Sequence, residues 1–135
     1  MLSLAFPAGP ELEKLALSCP DRFAYKPTLR GADVSLSGIE NQFRRMLEHG
    51  ETPQRIARFT LEAVAAALSG MCRALISEYG EMPVLFAGGV SSCSIIRDRL
   101  SGEFGASFAK PEYSSDNAAG IALLAERKYE KEAEG

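Results

Sequence analysis

The feature that most constrains this chain is one long apolar helix, predicted between residues 53 and 79. Apolar side chains recur there at three- and four-residue spacing, the pattern of an α-helix with a buried face. They are Ala57, Leu61, Val64, Ala65, Leu68, Cys72, Leu75 and Ile76. Thr52 suits the N-cap, Pro53 suits the first helical position, and Gly80 ends the pattern. We therefore expect this helix to be the spine of the fold.

Composition indicates one folded domain, or a piece of a larger one. The chain has 135 residues, 46% of them hydrophobic, and a formal net charge of -3. Such a mild acidic balance argues against direct nucleic-acid binding by this chain alone, because neutralising phosphates requires clustered Lys and Arg. No apolar run approaches the roughly 20 residues of a membrane span. Residues 1–10 carry no basic leader before their short apolar stretch, so a secretory signal is not expected. No membrane partner is expected either.

Cysteine and histidine usage excludes several kinds of site. The three cysteines are widely spaced and form no C-x-x-C pair, which is neither a disulfide framework nor a zinc site. There is a single histidine, His49, so one copy of the chain cannot build an H-E-x-x-H zinc site. Free cysteines of this kind favour a cytoplasmic location.

The first half contains weaker helix and strand signals. We expect a helix to begin at Pro10 and a loop to occupy residues 18–30. Residues 33–37 alternate polar and apolar side chains, which predicts a short strand. A second helix follows, and it ends at Gly50.

The last third of the chain has the pattern of an α/β unit. Residues 83–87 and 106–109 read as short buried strands, with a helix opening near Ser91 between them. A last helix is expected to begin within residues 114–117, and residues 126–135 form a charged tail that we expect to fray. Strand, helix, strand and helix in this order predict a helix-rich α/β fold with a short, mainly parallel sheet.

Two candidate ligand-binding positions follow the predicted strands of this unit. Gly88 and Gly89 let the backbone approach a ligand closely, and the next helix would point its N–H groups at an anion. A tight turn into a helix explains the same glycines. Asp116 lies at a predicted helix start, where a carboxylate can bind a metal ion or simply cap the helix.

Two further positions have both a functional and a plain structural interpretation. Gly9 precedes the first helix and would allow contact with a nucleotide, although a turn explains it equally. Cys93 lies near a helix N-terminus, which lowers a thiol pKa, but a small half-buried side chain is the simpler interpretation.

Four segments, in order and over nearly the whole chain, resemble one family. F-A-G-G-V-S at 86–91 resembles the A-G-G-V-[SA]-x-N-x-x-L-R segment of the TsaD family, the threonylcarbamoyl transferases once named O-sialoglycoprotein endopeptidases (glycoprotease, peptidase M22). Residues 110–122 resemble the family's P-x-x-x-C-T-D-N-A-A-M-I-A segment. Residues 6–16 resemble its Y-P-G-G-P-x-[IL]-x-K-L-A segment, and residues 34–39 resemble its F-S-F-S-G-L-K segment.

The resemblance implies part of an actin-like fold (ASKHA, ribonuclease H-like), whose two lobes enclose a nucleotide. Residues 1–125 correspond to a C-terminal lobe segment. The N-terminal lobe, with an H-x-x-x-H metal motif and an early phosphate-binding loop, would then be a missing partner. A homodimer and the subunits of a tRNA-modification complex are further expected partners.

The resemblance also assigns residues. Asp116 matches the metal-binding aspartate, Gly9 a glycine against the nucleoside, and Gly88 and Gly89 glycines on the phosphate side. Cys93 falls where the family has an asparagine that contacts the nucleotide, and a thiol cannot replace an amide that both donates and accepts hydrogen bonds. For the full-length protein the implied cofactors are an adenine nucleotide and a divalent metal (iron, zinc or magnesium); that this chain alone binds none is an open alternative.

Three functions are compatible with these expectations. One is a tRNA threonylcarbamoyl transferase, of which this chain is an inactive part. Another is a noncatalytic paralogue that binds a nucleotide or a partner. The protease activity in the family's older name is the weakest, because no Ser-His-Asp or Cys-His set is visible.

Overall fold

A computed structural model describes residues 8–110, together with residues 126 and 129. In chain order the elements are α1 (Ala8–Leu17), β1 (Thr28–Arg30), β2 (Asp33–Ser35), α2 (Ser37–Glu48), α3 (Pro53–Tyr79), β3 (Leu85–Phe86), a 3-10 turn (Gly89–Ser92), α4 (Ser94–Phe104) and β4 (Ser107–Phe108). The predicted last helix and nearly all of the predicted tail lie outside the described residues.

Helix α3 is the predicted spine, and its predicted ends are confirmed. The Thr52 side chain accepts a hydrogen bond from the Arg55 N–H, Pro53 opens the helix, and Gly80 ends it with φ of +85°. Helices α1, α2 and α4 all pack against α3. Because α3 is contacted on several sides, buried residues occur all around its first half, as expected of a central helix.

Two apolar clusters lie on either side of α3. One joins α1, α3, α4 and strands β3 and β4, with Ile96 and Leu100 fully buried in it. The other lies under α2, where Phe23 and Tyr25 meet Phe59 edge-on. The C-terminal α/β unit and the N-terminal helix α1 therefore share one core.

The sheets are short and of two kinds. Strands β3 and β4 pair in parallel, as the strand–helix–strand pattern predicts. Strands β1 and β2 form an antiparallel hairpin, so the expectation of a mainly parallel sheet fails for one of the two sheets described. The predicted loop 18–30 thus ends in a strand, because Gly31, with φ of +60°, allows a two-residue hairpin turn. The helix-rich α/β class is confirmed.

Two predicted helix starts are displaced by a few residues. Helix α1 begins at Ala8 rather than at Pro10, so that Gly9 and Pro10 lie in its first turn. Helix α4 begins at Ser94, because a 3-10 turn occupies the predicted start near Ser91. Such shifts at helix ends are common where a tighter turn precedes the α-helix.

Helix α3 is also long and apolar enough, by length and composition, to cross a membrane, which the sequence expectation did not allow. Its most apolar window has a mean hydropathy of 1.5, but 56% of that window is buried inside the protein. Burial of this kind is usual for the core helix of a globular domain, so the length of α3 is weak evidence for a membrane.

Candidate functional site

The turn between β3 and α4 has a backbone that depends on glycine. Gly88 adopts φ of +104°, a conformation that other residues rarely accept. The Ser91 N–H donates to the Gly88 carbonyl at 3.1 Å and the Ser91 hydroxyl donates to it at 2.7 Å. Two hydrogen bonds from the buried Ser91 therefore hold the turn in one shape.

Space is open beside each of the three candidate glycines. A Cβ atom placed on Gly9, Gly88 or Gly89 would meet no heavy atom within 4 Å. Glycine at these positions is therefore not required by packing against the described part of the protein. A ligand could approach the backbone closely at all three.

Helix α4 does not offer its first N–H group to an external anion. Glu13, on α1, accepts hydrogen bonds from the Ser94 N–H at 2.7 Å and from the Ser94 hydroxyl at 2.6 Å. The carboxylate thus occupies the place where an anion would meet the helix N-terminus. An anion near Gly88 and Gly89 would have to bind the preceding 3-10 turn instead.

The Glu13–Ser94 contact joins the two segments of the chain that contain most of the candidate residues. Gly9 lies one helical turn before Glu13 on α1, and Cys93 directly precedes Ser94. Gly88 and Gly89 belong to the turn that leads into Cys93. Four of the five predicted site residues thus lie within six residues of Glu13 or Ser94 along the chain, and the fifth, Asp116, lies outside the described residues.

Cys93 lies in the apolar core rather than on an open surface. It belongs to the buried cluster of α1, α3 and α4, together with Ala16 and Ile96. Burial is the main cause that raises the pKa of the Cys93 thiol, and the nearby Glu13 carboxylate raises it further. A raised pKa leaves less thiolate, which agrees with a packing role and not with an activated nucleophile.

Residues 8–110 contain no group of three or more His, Cys, Asp or Glu that could hold a metal ion. His49 is the C-cap residue of α2, one residue before Gly50, where the sequence predicts that this helix ends.

The sequence analysis did not single out a buried ion pair on α3. Arg58 and Glu62 lie one turn apart on α3, and the Arg58 Nε donates to the Glu62 carboxylate at 2.7 Å while both side chains are almost fully buried. Glu62 also accepts the Phe23 N–H at 2.5 Å, so it fixes the loop before β1. The available signal was a pair of opposite charges four residues apart within residues 56–68, which are otherwise apolar except for Thr60.

Comparison with known proteins gives a consistent answer. A family model described as TsaD, tRNA N6-adenosine threonylcarbamoyltransferase, matches residues 1–123. Proteins with that name from Thermus thermophilus, Nautilia profundicola and Riemerella anatipestifer are 32%, 34% and 30% identical to this chain, each over 97% of it. The matches cover 42%, 43% and 43% of those relatives, so the chain spans less than half of their length. The chain belongs to the TsaD family.

Proposed function

We propose that this chain is the C-terminal part of a TsaD-like tRNA threonylcarbamoyladenosine transferase, and that it is incomplete and inactive alone. The observation that carries the proposal is the contrast in coverage: the family model matches residues 1–123, yet the chain spans only 42% of the Thermus thermophilus relative. A protein of this kind would supply one wall of a pocket whose other wall lies elsewhere.

The nucleotide part of the proposal rests on the three glycines. An adenine nucleotide would lie against Gly9 with its nucleoside and against Gly88 and Gly89 with its phosphates. The open space beside all three backbones fits this role, since a side chain there would obstruct the approach. In the described residues, no acceptor is recorded for the N–H groups of Gly89 and Val90, which precede the capped helix α4. Cys93 would contribute less than an asparagine, because its thiol is buried.

The metal part of the proposal rests on Asp116 alone. A carboxylate suits magnesium, iron or zinc, and the remaining ligands would come from the part of the relatives that this chain does not match. When bound, such a metal would polarise an oxygen of the threonylcarbamoyl-adenylate, from which the threonylcarbamoyl group would be transferred to tRNA.

The missing lobe is the first proposed partner. Strands β3 and β4 make only a two-stranded sheet, which is marginal unless further elements cover it. Leu85 and Val90 beside it are 69% and 62% exposed. A second copy of the chain is another way to cover them, and the other proposed partners are the subunits of a tRNA-modification complex. We place the protein in the cytoplasm and assign no direct tRNA binding to this chain alone.

The alternative is a noncatalytic paralogue that binds a nucleotide or a partner. The position of Cys93 favours it, since a buried thiol replaces the amide expected in the family. A chimera decides between the two. Residues 1–123 replace the matching part of the Thermus thermophilus relative, and formation of threonylcarbamoyladenosine in tRNA is measured by mass spectrometry.

An active chimera, with no activity of this chain alone, supports the proposal. A folded chimera that binds adenine nucleotide but transfers nothing favours the noncatalytic paralogue. Transfer by the purified chain alone would refute its incompleteness. The unaltered Thermus thermophilus relative is the positive control.

A further inference from the structure

A surface cavity of about 460 Å³ lies between α1, α3 and α4, apart from the candidate glycines. Its charged lining consists of Arg22, Arg58, Glu62, Asp98 and Arg99. Neither Gly9 nor the turn at Gly88 lines it, so its use would not depend on the proposed function. Its volume falls in the range of small-ligand pockets.

Three guanidinium groups and two carboxylates line this cavity, and one of the carboxylates, Glu62, is already fully engaged. Both carboxylate oxygens of Glu62 are already engaged by other residues of the chain. One accepts a hydrogen bond from Arg58 at 2.7 Å and lies 3.4 Å from the Arg22 guanidinium. The other accepts a hydrogen bond from the Phe23 N–H. Among the described residues, Asp98 takes part in no recorded ion pair. Arg99 lies 3.8 Å from Glu103, a carboxylate that Ser69 and Arg73 already share.

Arg58 is the buried member of this set. Its side chain is only 6% exposed, yet it lines the cavity. Within the described part of the chain, Glu62 is its one hydrogen-bond partner, through Nε. The Arg58 Nη groups are not among the fully buried polar atoms of the described residues that lack a partner, so they face the cavity, where an oxyanion could accept from two N–H groups at once.

The rest of the wall is apolar. Leu17, Phe23 and Ile95 line the cavity together with the arginines. Leu17 is 57% exposed, so an apolar group placed against it would remove hydrophobic surface from water. The cavity thus combines a cationic side with an apolar side.

We propose that the cavity lined by Arg22, Arg58 and Arg99 binds a small organic oxyanion, whose carboxylate or phosphate meets the arginines and whose short apolar part lies against Leu17 and Ile95. Arg58, whose side chain is 6% exposed, forms the inner contact, and Arg22 and Arg99, which are 81% and 38% exposed, form the rim. Asp98, exposed at the same rim, disfavours ligands with more than one negative charge near α4.

The test uses NMR titration of the full 135-residue chain, labelled with ¹⁵N, because arginine Nε–H signals report on the cavity directly. Hexanoate and inorganic phosphate are the two probes, and they distinguish a carboxylate head from a phosphate head. Hexanol is the uncharged control. Saturable shifts with either anion at the Arg58 signal, about tenfold weaker or absent with hexanol, are the expected result.

Variants at exposed positions avoid the loss of folding that a change at Arg58 would risk. Arg22→Gln and Arg99→Gln should each weaken anion binding by about fivefold or more, since each removes one guanidinium. Arg44→Gln, in an exposed pair with Glu40 on α2, is the matched control and should change nothing. Equal binding by all three variants, equal binding of hexanol, or no saturable binding of either anion would overturn the proposal. Transferase activity plays no part in this readout.

Discussion

Glu13 on α1 accepts two hydrogen bonds from Ser94 at the start of α4, from the backbone N–H at 2.7 Å and from the hydroxyl at 2.6 Å. The two residues lie 81 positions apart in the sequence. A carboxylate at this place satisfies an N–H group that the helix itself cannot pair and complements the helix dipole. The contact therefore ties the N-terminal helix to the glycine turn that carries most of the candidate site.

Removing the Glu13 carboxylate should weaken the attachment of α1 to the start of α4. We expect Glu13→Ala to lower the free energy of unfolding by about 1–3 kcal/mol, because a partly buried, charge-assisted pair of hydrogen bonds is lost. Urea unfolding followed by circular dichroism measures the change. Glu11→Ala, an exposed acid on the same helix, is the control and should lie within about 0.5 kcal/mol of the parent. Equal effects of the two substitutions would contradict the capping role.

Periodicity predicted the elements whose signals are local. Caps and glycines within one segment predicted both ends of α3 and the end of α2 near His49. The strand–helix–strand spacing predicted the parallel pairing of β3 with β4. The alternation at residues 33–37 predicted the strand β2, but its partner β1 was assigned to the loop 18–30, because three residues are too few for an alternating pattern to stand out beside two prolines.

Contacts between distant segments could not be predicted in the same way. Nothing in the residues around Glu13 indicates that it caps a helix 81 positions later. The family resemblance located the candidate glycines, but it could not indicate that Cys93 lies in the core. Such relationships depend on tertiary packing, which a single sequence does not reveal.

Two glycines in helices should respond in opposite ways to alanine. Gly102→Ala on α4 is expected to raise the free energy of unfolding by about 0.5–1 kcal/mol, because a Cβ there meets nothing and alanine favours the helix. Gly70→Ala on α3 should lower it, because a Cβ there would lie 2.7 Å from Cδ1 of Leu29 and 3.3 Å from Cγ of Pro27.

The background variant Leu29→Ala separates the steric effect from helix propensity. With that side chain shortened, Gly70→Ala should become less destabilising or even stabilising, and the difference between the two backgrounds is measured by a double-mutant cycle in urea. A Gly70→Ala effect that is the same in both backgrounds would show that the hairpin does not restrict this position.

The buried pair on α3 should be more sensitive to losing one member than to losing both. Arg58→Met leaves the Glu62 carboxylate buried without its closest cation, and we expect a loss of about 3–5 kcal/mol. Combining it with Glu62→Leu removes the uncompensated charge, so the double variant should be more stable than Arg58→Met alone. The exposed pair Arg44 and Glu40, replaced in the same way, should change stability by no more than about 0.5 kcal/mol. A double variant less stable than Arg58→Met would count against this account.

The raised thiol pKa of Cys93 predicts a pH dependence. Because burial raises the pKa in the folded chain, the unfolded chain loses this proton first as the pH rises. The stability that the neutral thiol contributes is complete below the unfolded pKa and is lost as the pH rises through the folded pKa. Stability should therefore fall less steeply in alkaline solution for Cys93→Ala than for the parent, as measured by urea unfolding across alkaline pH. Identical alkaline slopes would contradict the assignment.

Replacing Cys93 by the family's asparagine tests whether this position belongs to the core or to a ligand surface. In the chain alone, Cys93→Asn would bury an amide among Ala16, Ile96 and other apolar side chains, which should cost about 1–3 kcal/mol more than Cys93→Ala. Thermal and urea unfolding of the two variants measure the difference. An asparagine variant as stable as the alanine variant would mean that the amide reaches solvent or a polar partner, and position 93 would then be available to a nucleotide after all.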